Sequence, residues 1–196
     1  MQPELLRLFA GRKGHFRLES GHHGDLWLDL ELLFLRPAQI RPFAEELSRR
    51  IAKLNVEAVC GPLNEGAFLA LMIASELNVL FSYAEPVAQS QTDALYPVKY
   101  RIPPALRTQV KGKRVAIVND VINAGSAVRG TFFDLKECGA EPVVIGALLV
   151  LGSSARHFAA ENSVTLESLA VPPNALWTPA ECPLCATGVP LDNPVA

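Results

Sequence analysis

The stretch VAIVNDVINAGSAV, residues 115–128, decides how this chain is read. Val115, Ala116, Ile117 and Val118 form a short apolar run with β-branched members, the pattern of a strand buried on both faces. Asn119 and Asp120 are expected to end it. Asn123, Ala124, Gly125 and Ser126 then make a turn of small residues, and Val128, Phe132 and Leu135 follow at spacings of 4 and 3, one face of an amphipathic helix. This strand-turn-helix points the unpaired N–H groups and positive dipole end of the helix at the end of the strand. Gly125 lets backbone approach an anion and Ser126 adds a hydroxyl donor, so the segment predicts a phosphate site. A strand ending in Asp or Asn can also be a simple helix cap. Neither G-x-G-x-x-G nor G-x-x-x-x-G-K-[ST] occurs in the chain, which sets aside the two commonest nucleotide loops.

Outward from this motif, strand and helix alternate. A short helix is expected at residues 3–10, then strands around Phe16, Leu18 and residues 26–30. Ile40, Phe43, Ala44, Leu47 and Ile51 mark an amphipathic helix after Pro37. Strands are expected at 56–60, 79–83, 114–118 and 142–151, and helices at 66–77 and 126–138. This order predicts an α/β fold, a mostly parallel sheet with helices on both faces. It divides one domain of 196 residues into N-terminal elements (about 1–35), a core (about 36–171) and an irregular C-terminal cap (about 172–196). Residues 85–110 are polar and proline-containing, and a connection of that length predicts a functional lid.

Composition narrows the function classes. Hydrophobic residues make up 49% and charged residues 19%, with a formal net charge of -2, so no broad basic face for nucleic acid is expected. The longest apolar stretch, residues 143–151, is too short to span a bilayer, and the N-terminus carries Glu4 and Arg7 rather than a signal-peptide core. A soluble cytoplasmic protein with no membrane partner is expected. Without a secretory signal, the four cysteines do not predict a disulfide framework.

Residues 115–128 resemble the phosphoribosyl diphosphate (PRPP) signature of type I phosphoribosyltransferases, and DVINAGSAV is most similar to orotate phosphoribosyltransferases. The resemblance implies that Asp120, with Asn119 beside it, holds the ribose hydroxyls, and that Asn123, Ala124, Gly125, Ser126 and Ala127 cradle the 5′-phosphate. GHFRLESGHHGDLWLDL, residues 14–30, resembles the hood that covers the base in that family. It implies base contacts from Phe16 and Trp27, together with Asn123. VCGPLNEGAFLA, residues 59–70, resembles the pyrophosphate loop, implying a role for Gly61, Pro62, Glu65 and Gly66. Lys99 and Arg101 are the expected lid cations, and with Asp120 the expected catalytic set. Mg²⁺ held mainly by PRPP oxygens, a nucleobase substrate and a homodimer complete what the resemblance implies.

Departures from the family pattern are equally specific. Glu19 stands where the hood has lysine, Glu65 where the pyrophosphate loop has lysine, and Asn119 where the acidic pair has its first carboxylate. Gly152 and Ser153 replace an Asp-Arg pair that binds the charged edge of orotate, and Arg156 is off register. The implied reaction is displacement of pyrophosphate from ribose C1 by a ring nitrogen of orotate, giving orotidine 5′-monophosphate. Two other readings stay open: a PRPP- or nucleotide-binding regulator that lost catalysis, and a phosphoribosyltransferase for another base.

Cys182 and Cys185 have the spacing of half a zinc site. His22 and His23 could complete it if the fold brought them close; two buried thiols capping the sheet is the simpler expectation. His15 and His157 show no partner pattern and are expected at the surface or partly packed.

Overall fold

The structure is a computed structural model of the chain. Its described residues are 2–87, 95, 96 and 98–193, and part of the expected lid, residues 88–94 and 97, lies outside them.

 In chain order the elements are α1 (Gln2–Leu6), β1 (Gly11–Arg17), β2 (His23–Leu28), a 3₁₀ turn (Leu30–Leu35), α2 (Pro37–Ala52), β3 (Ala58–Pro62), α3 (Glu65–Leu77), β4 (Leu80–Val87) and β5 (Lys99–Arg101). Then come α4 (Pro104–Val110), β6 (Arg114–Ile122), α5 (Ser126–Glu137), β7 (Glu141–Val150), α6 (Ser154–Glu161), β8 (Thr165–Ala170), β9 (Leu176–Trp177), a 3₁₀ turn (Pro179–Glu181) and α7 (Pro183–Ala186). No described helix is long and apolar enough to cross a membrane.

Six strands form the main sheet in the order β5-β4-β3-β6-β7-β8, parallel throughout except for the antiparallel edge strand β5. Its apolar strands are covered on both faces, as expected. Val115 and Ile117 pack with Val128, Phe132 and Leu135 of α5 and Phe158 of α6. Ala116 and Val118, alternating to the other face, pack with Ile40, Leu47 and Ile51 of α2 and with Leu69 and Ile73 of α3. A second, three-stranded sheet, β1-β2-β9, joins the N-terminal hairpin to the C-terminal segment.

Three expectations need correction. Asn119 and Asp120 do not end β6, which continues to Ile122 because β7 keeps pairing with it as far as Ile122↔Val150. Pairing with β3 stops at Cys60↔Ile117, so the two polar residues overhang a gap that opens between β3 and β6. The span 85–110 is not one long connection either, since its described ends are the β4-β5 ladder and α4. Finally, α6 and β8 add a βα unit that the sequence reading passed over.

Candidate active site

The chain leaves β3 through α3 toward β4 and leaves β6 through α5 toward β7, so the connections diverge in opposite directions from two adjacent strands. In an open parallel sheet that is the switch point, and the crevice beyond the carboxyl ends of such strands is where ligands bind. Here it holds a cavity of about 580 Å³, walled by the β3-α3 loop, the β6-α5 turn and the hood.

The floor is built from backbone. Gly125 begins the turn into α5 with φ of 85°, a left-handed conformation that a side chain would strain. No side chain caps this helix start within the chain's own turn. Ser126, its first residue, is buried and lines the cavity with Asn123, Ala124, Gly125 and Ala127. All five expected cradle residues are thus brought together. Across the crevice, a Cβ on Gly61 would run into the backbone of Gly66 and Ala67, and one on Gly66 would meet the Asn119 side chain. Both glycines are therefore required by close packing of β3, α3 and β6. Pro62, Glu65 and Gly66 line the cavity, whereas Gly61 lies behind them as a spacer.

Asp120 is 2% exposed, and its Oδ2 has no hydrogen-bond partner. Burial, with the nearby Glu65 charge adding to it, pushes its carboxyl up to about 7. Such an acid is poised to be ionised by a ligand that brings hydroxyl donors or a cation. Asn119 is held differently: its Nδ2 donates to the Val121 carbonyl at 2.9 Å. Asn123 accepts from Asn174 Nδ2 at 3.2 Å through Oδ1, a contact from the C-terminal segment.

The roof is built from side chains. Trp27 lines the cavity, with its Nε1 donating to Asp29 Oδ1 at 3.0 Å. Phe16 does not reach the cavity: it is 3% exposed and packs behind Trp27, ring centroids 6.0 Å apart. It backs Trp27 where β1 and β2 pair with a shifted register between Lys13 and Phe16. Lys99 and Arg101, the expected lid cations, stand on β5. Both are exposed on β5 and neither lines the cavity; strand alternation turns Tyr100 inward between them.

Tyr100 and Glu19 are the residues that sequence reasoning undervalued. Ser126 Oγ donates to Glu19 Oε1 at 2.8 Å and the Tyr100 hydroxyl donates to Glu19 Oε2 at 3.1 Å. A carboxylate thus sits on the start of α5. Burial, then the Glu19 charge, pushes the Tyr100 hydroxyl well above the ordinary phenol range, so it stays a donor. Period-two alternation in KYR could have singled out Tyr100, but nothing local ties it to Glu19, 81 positions away. Among the described residues the cavity lining carries five carboxylates, on Glu19, Asp29, Glu31, Glu65 and Asp120, and one cation, Arg12. Leu151 lines it just before Gly152 and Ser153, while Arg156 faces a separate surface pocket with Val164 and Leu166.

Comparison with known proteins agrees with this geometry. Residues 35–171 match the model of the phosphoribosyl transferase domain. The chain is 31% identical to an orotate phosphoribosyltransferase of Helicobacter pylori over 190 residues, 90% of this chain and 89% of that protein. It is 29% identical to the orotate phosphoribosyltransferase of Thermotoga maritima, over 93% of this chain and 90% of that one. Among solved structures, the orotate phosphoribosyltransferase of Aeropyrum pernix superimposes with a TM-score of 0.65 at 24% identity, covering 87% of this chain and 92% of that one. An adenine phosphoribosyltransferase of Trypanosoma brucei gives a TM-score of 0.67 at 18% identity, with 87% and 78% covered. The hood and the C-terminal segment fall outside the domain match. A switch-point crevice with a glycine turn at the start of α5, on a chain matched from residue 35 to residue 171, belongs to the phosphoribosyl transferase domain family.

Proposed function

We propose that the chain transfers the 5-phosphoribosyl group of PRPP to orotate, giving orotidine 5′-monophosphate and pyrophosphate. One observation carries the reading: Asp120 and the start of α5 converge in the β3-β6 crevice under an aromatic hood, on a chain whose relatives over nine-tenths of its length are named for orotate. Ser126 and the α5 backbone would hold the 5′-phosphate. Asp120 would accept from the ribose hydroxyls, and the 62–66 loop would face the diphosphate. Trp27 would cover the base. Rate acceleration then comes from alignment of the two reactants and exclusion of water by the hood.

The donors suit Mg²⁺ arriving with PRPP, since Asp120 Oδ2 is unpartnered and Glu65 opens on the same cavity. Those two carboxylates would hold it. When bound, the cation supplies charge neutralisation of the leaving diphosphate. The reading extends to a cytoplasmic homodimer that binds small molecules and neither nucleic acid nor membrane.

A second reading has a specific observation behind it. Glu19 occupies the hydroxyl of the phosphate cradle, and one arginine faces five carboxylates. That suits a PRPP- or nucleotide-binding regulator with little turnover. Mixing the protein with PRPP, Mg²⁺ and single bases separates the readings. Orotate-dependent pyrophosphate release supports the transferase. PRPP binding with no base consumed supports the regulator, release with another base moves the substrate assignment, and binding of neither PRPP nor a nucleotide overturns both readings.

A further inference from the structure

Away from the cleft, four metal-ligating side chains from three distant parts of the chain meet at one point. His15 comes from β1, His23 from β2, and Cys182 and Cys185 from the one-turn helix α7 and the residue before it. His15 Nε2 lies 3.1 Å from His23 Nδ1, 3.3 Å from Cys182 Sγ and 3.7 Å from Cys185 Sγ. His23 Nδ1 lies 3.3 Å from Cys185 Sγ, and all four donor atoms fall within 4.8 Å of one another. His22 is not part of the group; its Nδ1 meets Ser20 Oγ at 3.1 Å instead.

Hydrogen bonding alone does not account for this arrangement. A ring nitrogen carries either one proton or one lone pair, so it makes one good hydrogen bond. His15 Nε2 has three polar neighbours. Its other nitrogen, Nδ1, meets the Val189 carbonyl at 2.9 Å, and because a carbonyl only accepts, Nδ1 must be the protonated one. That leaves the Nε2 lone pair aimed into the group. This is how a metal-bound histidine is oriented, with its remote N–H fixed by a carbonyl.

Distances also fit. With Zn–N of about 2.0–2.1 Å and Zn–S of about 2.3 Å, the edges of a tetrahedron run from about 3.3 Å between nitrogens to about 3.8 Å between sulfurs. The four separations above, 3.1 to 3.7 Å, scatter around that range. We propose that His15, His23, Cys182 and Cys185 form a closed Cys₂His₂ zinc site that clips the C-terminal segment to the hood. Four protein ligands fill a tetrahedron and leave no open position, so the role is structural. Thiolate and imidazole donors select zinc over magnesium or calcium.

The clip has something to hold. Beyond α7 the chain returns along β1, where Arg17 N–H donates to the Asp192 carbonyl at 2.8 Å and Asp192 N–H donates to the His15 carbonyl at 2.8 Å. Between the two histidines lies the turn that carries Glu19 into the cleft. The site therefore fixes the roof of the cavity without touching what binds there.

The test is zinc content of tag-free protein prepared without chelators, measured by plasma mass spectrometry. About one zinc per chain is expected, falling below about a tenth in Cys185→Ser and in His15→Ala, with full content kept in Cys138→Ala, whose thiol is elsewhere. If those variants do not fold, wild-type protein stripped by a chelator is titrated with Co²⁺. An intense tetrahedral visible spectrum with thiolate charge-transfer bands, saturating at one equivalent, supports the site. Stripping should lower the Tm by more than about 5 °C, restored by Zn²⁺. Wild-type protein with less than about a tenth of a zinc per chain and no tetrahedral Co²⁺ spectrum overturns the proposal, as does a Cys182–Cys185 disulfide in the freshly isolated protein.

Discussion

The floor and the roof of the cavity are built by opposite means. The floor, at the β3-α3 and β6-α5 turns, uses backbone and glycines from two short stretches of chain. The roof uses side chains whose partners lie far away: Glu19 reaches Ser126 across 107 positions, and Cys182 reaches His15 across 167. A site built on local backbone is fixed by the sheet beneath it, whereas one built on distant side chains can change its charge without changing the fold. Glu19, which stands where the resemblance implies a lysine, lies in that roof.

The largest effect should come from the floor. Asp120→Asn removes a buried charge, so it should weaken PRPP binding at least tenfold while stabilising the free protein near pH 8 by roughly 2–4 kcal/mol. The sign follows from the raised carboxyl. Its contribution is fully favourable below the ordinary aspartate range and is lost as pH rises through about 7. Denaturant midpoints of the two proteins should therefore converge near pH 4, and PRPP should bind wild type more tightly as pH rises from about 6 to about 8. Equal stability at both pH values would remove the buried charge from the account.

Next, Gly61→Ala forces a methyl group into the backbone of Gly66 and Ala67, which should cost about 3 kcal/mol in urea unfolding. A loss under about 0.5 kcal/mol would mean that the floor is not close-packed. On the roof, Glu19→Gln should keep the Ser126 contact but remove its charge, tightening PRPP binding roughly tenfold, or about 1.4 kcal/mol, by calorimetry. Weaker binding would instead make Glu19 a ligand-holding residue. Smallest of all, Lys99→Ala and Arg101→Ala should change the KM for PRPP by less than about twofold, since exposed charges directed away from the cavity are screened. A tenfold rise in either would bring β5 back into the site.

The same contrast explains what could be read from the sequence. The parallel sheet and the turn at 123–127 that leads into α5 were legible because each rests on periodicity or turn chemistry within a few residues, whereas the role proposed for Asp120 came from the resemblance. Where β6 ends was not, because its length depends on β7 pairing past the last contact with β3. That Phe16 and Lys99 lie outside the cavity lining was not legible, because a register shift in the hairpin and a three-residue strand set their directions and neither has a strong local signal. His15 looked unpartnered for a similar reason. Its neighbours lie on β2 and at the far end of the chain, so the half-site at Cys182 and Cys185 could be joined to His23 from the sequence but not to His15.

The central claim is that the crevice between β3 and β6 joins a phosphoribosyl group to orotate. Its most direct measurement is pyrophosphate release from PRPP and Mg²⁺, followed with and without orotate, in wild type and Asp120→Asn. The account expects release that requires orotate, yields orotidine 5′-monophosphate in equal amount and falls at least tenfold in the variant. PRPP that binds without orotate-dependent release, or release unchanged by loss of the Asp120 charge, would contradict it.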